Sequence, residues 1–276
     1  MHDMPEIRAG QSIELLKELH ILTRDGKLNQ DSRRKLKQIY HLYQFIEPLL
    51  REVRGDRPAI HLVDHGAGKS YLGFILYDLF FKNLTSESCL YGIEARDDLV
   101  NKSRNLAAKL KFTGMSFLHL SVAESITSDQ LPETIDVVTA LHACNTATDD
   151  AIHFGLKKQA KYMVLVPCCQ AEVAALLKKN KGQALAKSAL TELWRHPLHT
   201  REFGSHVTNV LRCLQLEAHG YHVNVTELVG WEHSMKNELI IASYKNLPRQ
   251  RARERLQELL QTLGLEALRE RFFVQP

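Results

Sequence analysis

The stretch Asp64-His65-Gly66-Ala67-Gly68-Lys69-Ser70 carries the densest chemical information in the sequence. It follows the apolar run AIHLVD (59–64) and opens SYLGFILYDLFFK (70–82), so it reads as a turn between a strand and a helix. Glycines there let the backbone turn sharply and let a ligand approach closely. A phosphate loop of the form G-x-x-x-x-G-K-[ST] is matched only at its end, because Val63 stands where the first glycine belongs. A dinucleotide loop G-x-G-x-x-G is met by Gly66 and Gly68 but has Tyr71 in third place, which leaves a nicotinamide oxidoreductase as a distant reading. The third option is an acid-x-Gly-x-Gly cradle for S-adenosylmethionine (SAM). Asp64 at the strand end suits a cationic, amine-bearing ligand better than a pyrophosphate.

A second acid supports this reading. Glu94 closes the run CLYGIE (89–94), thirty residues after Asp64, where a carboxylate accepts both hydroxyls of a ribose. Ligands of parallel sheets sit at the carboxyl ends of the strands, which adds further wall positions. Ser121, Val122, Ala123 and Glu124 follow the third strand, beside an adenine; Leu141, His142 and Ala143 end the fourth, beside the methionine part. The expected donor-binding set is Asp64, Gly66, Ala67, Gly68, Glu94, Ala123, Glu124, Leu141 and His142. Glu124 is equally readable as a solvated loop acid.

The same strand ends hold groups able to act on an acceptor. His142 and Cys144 follow the fourth strand, Cys168 and Cys169 the fifth. One reading makes a cysteine the nucleophile that adds to carbon 6 of a pyrimidine to activate carbon 5. A second assembles His142, Cys144, Cys168 and Cys169 around zinc, but neighbouring cysteines are awkward ligands for one tetrahedral ion and C-x-x-C spacing is absent, so no metal is expected. The third, which the residues favour, has the cysteines as small packing groups that line the pocket. Transfer to a hydroxyl needs a group that takes its proton, and His142 is the best-placed base or orienting group. Lys69 reads as surface charge or as a neighbour of the ligand.

These residues require a frame. Strand-like runs at 59–64, 89–94, 115–121, 135–143 and 162–167 alternate with helical ones at 70–82, 96–112 and 147–159, the pattern of a parallel sheet with helices on both faces. Helical stretches at about 170–193 and 203–219 follow, then strands at 221–231 and 238–245 joined by a short polar turn as a hairpin. The expected fold is α/β: a Rossmann-like class I methyltransferase with a mostly parallel seven-stranded sheet and an antiparallel final strand. Residues 1–57 form a helical N-terminal extension, with Asp31 or Ser32 as a cap and Pro48 expected to kink or break the helix. Residues 58–246 form the SAM-binding domain and 247–276 a Leu-rich C-terminal helix.

Bulk properties agree with a single large globular unit. The 276 residues are 44% hydrophobic and 25% charged, with a formal net charge of +4, which neither demands nor excludes a nucleic-acid partner. The five cysteines read as reduced thiols of a cytoplasmic protein, and neither a signal peptide nor a membrane-spanning run is visible. Basic groups cluster at Arg33, Arg34, Lys35 and Lys37, at Lys178, Lys179 and Lys181, and at Arg249, Arg251, Arg253 and Arg255. His196, His199 and His206, with Arg195 and Arg201, mark a region to search for a substrate lid.

The segments VDHGAGKSYLG, LHACNTATDDAI, VPCCQ and HSMKNELIIAS together resemble a family of SAM-dependent methyltransferases with His-Ala-Cys-Asp and Pro-Cys-Cys-His motifs. That family includes eukaryotic tRNA 2′-O-methyltransferases and uncharacterised bacterial relatives. The similarity spans about Arg33 to Lys245; Asn145 stands where the family has Asp, and Gln170 where it has His. The resemblance implies SAM, the class I fold and an RNA acceptor, tRNA or rRNA, and it assigns Lys236, of the Lys236-Asn237 pair, to the site. The expected catalytic set is His142, Cys168, Cys169 and Lys236. Protein methylation, a small-molecule acceptor and a catalytically silent SAM- or RNA-binding assembly module remain the alternatives.

Overall fold

The computed structural model describes residues 7–84, 87–143, 146–167, 171–179, 189–228 and 238–274. Its centre is a sheet built from β1 (His61–His65), β2 (Cys89–Glu94), β3 (Met115–His119), β4 (Val137–Ala143), β5 (Tyr162–Pro167), β6 (Tyr221–Glu227) and β7 (Glu238–Tyr244), in the order β3-β2-β1-β4-β5-β7-β6. The pairings among β1 to β5 are parallel, whereas β7 runs antiparallel between β5 and β6. The inner strands are buried on both faces, which is why Leu62-Val63 and the Val-Leu-Val of β5 read as unbroken apolar runs. The expected class I architecture is present.

Helices α3 (Tyr71–Leu79), α4 (Asp97–Lys109) and α6 (Ala147–Lys157) make the crossovers, with the short α5 (Val122–Thr127) after β3. β6 is described to Glu227 and β7 from Glu238, and residues 229–237, with the end of the expected strand and its turn, lie outside the described residues. The helix expected over 170–193 is α7 (Glu172–Lys179) followed, beyond residues outside the description, by a 3-10 segment Ala189–Trp194. The next helix, α8 (Pro197–Glu217), begins earlier than expected because Pro197 occupies its first turn, where a missing N–H costs nothing. α9 (Gln250–Thr262) and α10 (Arg269–Phe272) close the chain; Leu256, Leu260 and Phe272 pack with Val173, Leu177, Leu211 and Leu214 of α7 and α8.

At the N-terminal end, α1 (Ile13–Glu18) and α2 (Gln30–Asp56) share cores with the sheet domain. Leu15, Leu16 and Leu36 meet Phe74 and Ile75 of α3, while Ile46, Leu50 and Val53 meet Leu72 and Leu76. Asn29, not Asp31 or Ser32, caps α2: its side chain accepts the Ser32 N–H at 2.8 Å. α2 also runs unbroken through Pro48. Pro48 and Gln44, whose carbonyl loses its partner, face solvent, so water takes the orphaned acceptor while buried Ile46 and Leu50 hold both halves on one core. No helix among the described residues is long and apolar enough to cross a membrane.

Candidate functional site

The strand order reverses between β1 and β4, and at that point the crevice at the carboxyl ends of the strands is open to a ligand. Asp64 and Thr139 are register partners across this junction. The Thr139 hydroxyl donates to Asp64 Oδ1 at 2.8 Å, and Ser70 Oγ donates to Oδ2 at 3.5 Å. Asp64 is 2% exposed, and burial pushes its carboxyl up to about 6 against the two hydroxyl donors. The sequence pointed to Asp64 and to the loop that holds Ser70; its partner Thr139 carries no motif and emerges only from the strand register.

Above Asp64 the loop turns through left-handed backbone at Gly66 (φ +69°) and Gly68 (φ +58°), and a Cβ on Gly66 would meet open space. Glycine is therefore required there by conformation, and the space it leaves is a cradle. Ser70, at φ +51°, adopts the same region with a side chain, a strained turn just before α3. The Ala67 N–H donates to the Ile93 carbonyl at 2.9 Å, which sets the loop against the end of β2.

Glu94 ends β2 beneath this loop. Its Oε2 accepts the Gly68 N–H at 2.8 Å, and its Oε1 accepts the Arg96 N–H at 3.1 Å. The Arg96 guanidinium adds bonds of 3.0 Å to Oε1 and 3.4 Å to Oε2. Burial alone would raise the Glu94 pKa, but the Arg96 side chain, with the two backbone donors, outweighs it and holds the carboxyl below its ordinary value. Arg96 escaped the sequence reading, although a cation two residues after Glu94 was visible there.

His65 was also missed. It is buried, its ring lies 5.4 Å from that of Phe154, and neither ring nitrogen has a hydrogen-bond partner among the described residues. Burial pushes its pKa down to about 4, with Glu94 pulling the other way, so the imidazole is neutral near pH 7.

Ala123 and Glu124 sit in the first turn of α5, after β3 and on the same edge of the sheet. Glu124 closes a capping box, accepting the Ser121 N–H at 2.7 Å while its own N–H donates to Ser121 Oγ at 3.4 Å. The capping bonds, the Ser121 side chain first, hold its pKa below the ordinary value. Leu141 is half-buried near the end of β4.

At His142 the β4–β5 register shifts: Leu141 pairs with Val166 and Ala143 with Pro167, so His142 is the extra residue of a bulge. Bulges at strand ends re-aim the chain beside active sites. The His142 side chain lies outside the description, as do Cys144, Asn145, Cys168, Cys169, Gln170, Lys236 and Asn237. Among the described residues no group of three His, Cys, Asp or Glu side chains is arranged to hold a metal ion. His196 and His199 contact each other edge-to-face, 5.4 Å between centroids, at the start of α8.

A cleft of about 390 Å³ opens beside the loop, between the end of α1, the start of α3 and the flank of α4. Lys69, His20, Lys102 and Lys109 line it together with Tyr71 and Glu18. Lys102 pairs with Asp98 at 3.2 Å and Lys109 with Glu18 at 2.6 Å, both at the surface.

A family model described as a methyltransferase domain matches residues 34–176. No curated protein sequence matches the chain. Among solved structures, the chain is similar to a precorrin-6y C5,15-methyltransferase from Geobacter metallireducens GS-15, with 17% identity over 72% of this chain and 86% of that one, at a TM-score of 0.39. It is similar to the magnesium protoporphyrin IX methyltransferase of Synechocystis PCC 6803 with bound SAH, with 13% identity over 83% and 91% of the two chains, at a TM-score of 0.42. It is also similar to the Methanococcus jannaschii fibrillarin pre-rRNA processing protein, with 9% identity over 68% of each chain, at a TM-score of 0.41.

Proposed function

From the premise that the chain belongs to the methyltransferase domain family and is a SAM-dependent methyltransferase, we propose that its acceptor is structured RNA, tRNA or rRNA. The observation that carries the acceptor is the cleft lined by Lys69, His20, Lys102 and Lys109 beside the glycine loop. Phosphates compete well there, because the ion pairs of Lys102 and Lys109 are solvent-exposed and such pairs contribute little. Arg33, Arg34, Lys35 and Lys37, all exposed near the start of α2, offer further cations for phosphate contacts.

The residues present fit the donor. Gly66, Ala67 and Gly68 form the cradle, Asp64 supplies a carboxylate beneath it, and Glu94 stands where the ribose hydroxyls are taken. Ala123, Glu124 and Leu141 belong to the adenine and methionine walls. SAM supplies an electrophilic methyl group on a sulfonium, and the protein's task is to bring an acceptor atom in line with it and keep water away. His142, at the bulge, takes the proton of the attacking group or orients it, with Lys236 as the second polar group. Cys168 and Cys169, which follow β5 in the sequence, are assigned by this reading to the border of the reaction centre.

The test is transfer from labelled SAM to total RNA and, separately, to total protein from cells lacking the gene. Label in RNA that disappears with Asp64→Ala supports the proposal and allows the nucleotide to be mapped. Label in protein alone overturns the RNA acceptor while keeping the donor site. Label in neither, with SAM still bound, points to a small-molecule acceptor or a silent binding module.

A further inference from the structure

Arg212 lies within α8, 63 residues from its ion-pair partner, and is 1% exposed. Its Nε and Nη2 donate to Asp149 Oδ1 and Oδ2 at 2.7 and 3.0 Å, the two-pronged geometry of a guanidinium on a carboxylate. Its Nη1 donates to Asn209 Oδ1 at 3.0 Å, and Asn209 Nδ2 passes the chain on to Glu238 Oε2 at 2.7 Å. Asp149, Asn209 and Arg212 are all buried.

The ends of this chain of bonds matter more than its middle. Asp149 stands in the first turn of α6, on the segment that follows the His142 bulge of β4. Glu238 opens β7, two residues after Lys236. One buried guanidinium therefore ties together the two segments that carry the proposed proton-handling groups. As a source of stability such an arrangement is poor: apolar replacements of a buried ion pair are often neutral or stabilising. A rigid planar fork with fixed donor directions does, however, define relative position in a way that an apolar contact does not.

We propose that Arg212 is a positioning residue for methyl transfer. Through Asp149 on one side and Asn209–Glu238 on the other, it sets the start of α6, the helix after β4, against the start of β7. The inference rests on the reading of those two segments as the reaction face. It does not depend on which acceptor is used.

The test compares wild type with Arg212→Met combined with Asp149→Leu, which removes both charges while filling the space, and with Arg212→Lys and Asn209→Leu. Melting temperature, SAM affinity by calorimetry, and turnover at saturating SAM are read on whichever fraction, RNA or protein, the wild type labels. In the folded double variant, SAM affinity is expected to stay within about twofold while turnover falls roughly ten- to a hundredfold, the scale of a small misplacement. Arg212→Lys recovers part of that loss. Turnover equal to wild type in the folded double variant overturns the proposal, as does a parallel loss of SAM binding and turnover. If the double variant does not fold, Asn209→Leu, which cuts only the Glu238 arm, decides in the same way.

The acceptor proposal stands or falls on the wild type alone, so the two failures are distinct. If the wild type labels nothing, hydrogen exchange decides. Glu238→Gln is then expected to speed amide exchange in the first turn of α6, across the network, and an unchanged α6 overturns the inference.

Discussion

Asp64 and His65 are consecutive at the carboxyl end of β1, and their side chains leave the sheet on opposite faces. Asp64 accepts from Thr139 and Ser70 on the α3 side, whereas His65 packs on Phe154 of α6. Both are buried, and burial moves the acid up to about 6 and the imidazole down to about 4. The two shifts act oppositely on stability. Between about pH 4 and 6 the folded Asp64 holds more proton than the unfolded one, so its contribution improves as pH falls. Between about pH 6.5 and 4 the folded His65 holds less, so its contribution worsens as pH falls.

Wild type is therefore expected to be nearly flat in stability from pH 6 to 4 as far as these two groups are concerned. His65→Leu uncovers the Asp64 slope and gains stability on acidification. Asp64→Asn uncovers the His65 slope and loses stability over the same range. Each slope amounts to about 3 kcal/mol across its window, from ~1.4 kcal/mol per unit of pKa difference. Urea unfolding at half-unit pH steps checks this; parallel profiles for the two variants would refute the opposed titrations.

Arg96 makes a separate case. Its guanidinium occupies Glu94 oxygens that a ribose would use, while the Gly68 and Arg96 N–H groups hold the same carboxylate. Removing the side chain leaves the backbone bonds and frees one acceptor position on each oxygen. Arg96→Ala is expected to tighten SAM binding by roughly two- to fivefold, the modest scale of an exposed ion pair. Calorimetric titration with SAM gives the answer, and weaker binding would show that Arg96 contacts the donor instead of competing with it.

How these features arise explains what could be read from the sequence. Asp64, the glycines and Glu94 were legible because a strand-to-helix turn and the next strand end fix their mutual position through local periodicity alone. Thr139 was not, because its bond to Asp64 depends on which strand lies beside β1, and that strand is 75 residues away in the chain. The Arg212 network was illegible for the same reason. Its members lie on α6, α8 and β7, and an arginine on a helix reads as solvated surface until the packing is known. The unbroken α2 shows the converse error: Pro48 is a local breaker, and core contacts on both sides of it overrode the local signal.

That override makes Pro48→Ala informative. The substitution restores an N–H to the helix interior and removes the ring from the Gln44 carbonyl, on an exposed face where packing is unaffected. A gain of about 1–2 kcal/mol is expected: ~3 kcal/mol from relieving proline in a helix, less the looser unfolded chain and the strain already relaxed by packing. Thermal unfolding measures it. A loss of stability would mean that the backbone angle fixed by Pro48 is needed to seat Ile46 and Leu50 together.

The N-terminal segment offers the most direct link between packing and acceptor binding. Asp78, at the end of α3 and 1% exposed, accepts the Ser12 N–H at 2.8 Å through Oδ2 and Lys82 Nζ at 2.8 Å through Oδ1. Lys82 in turn donates to the Gly10 carbonyl at 2.7 Å. This pin sets α1 along α3, and the far end of α1, at Leu19 and His20, forms one wall of the basic cleft. Asp78→Ala leaves the half-buried Ser12 N–H unmet and Lys82 without its acid, a loss of about 2–3 kcal/mol. If the cleft binds phosphate as proposed, the variant binds RNA more weakly, and the slope of log affinity against log salt falls, because Lys109, held by Glu18 of that wall, is no longer fixed in place. SAM affinity stays the same, since the glycine loop, Asp64 and Glu94 lie at the other end of α3. Filter binding of total tRNA at several salt concentrations, beside calorimetry with SAM, separates the two effects. An unchanged RNA salt slope in the folded variant would place the RNA elsewhere on the molecule.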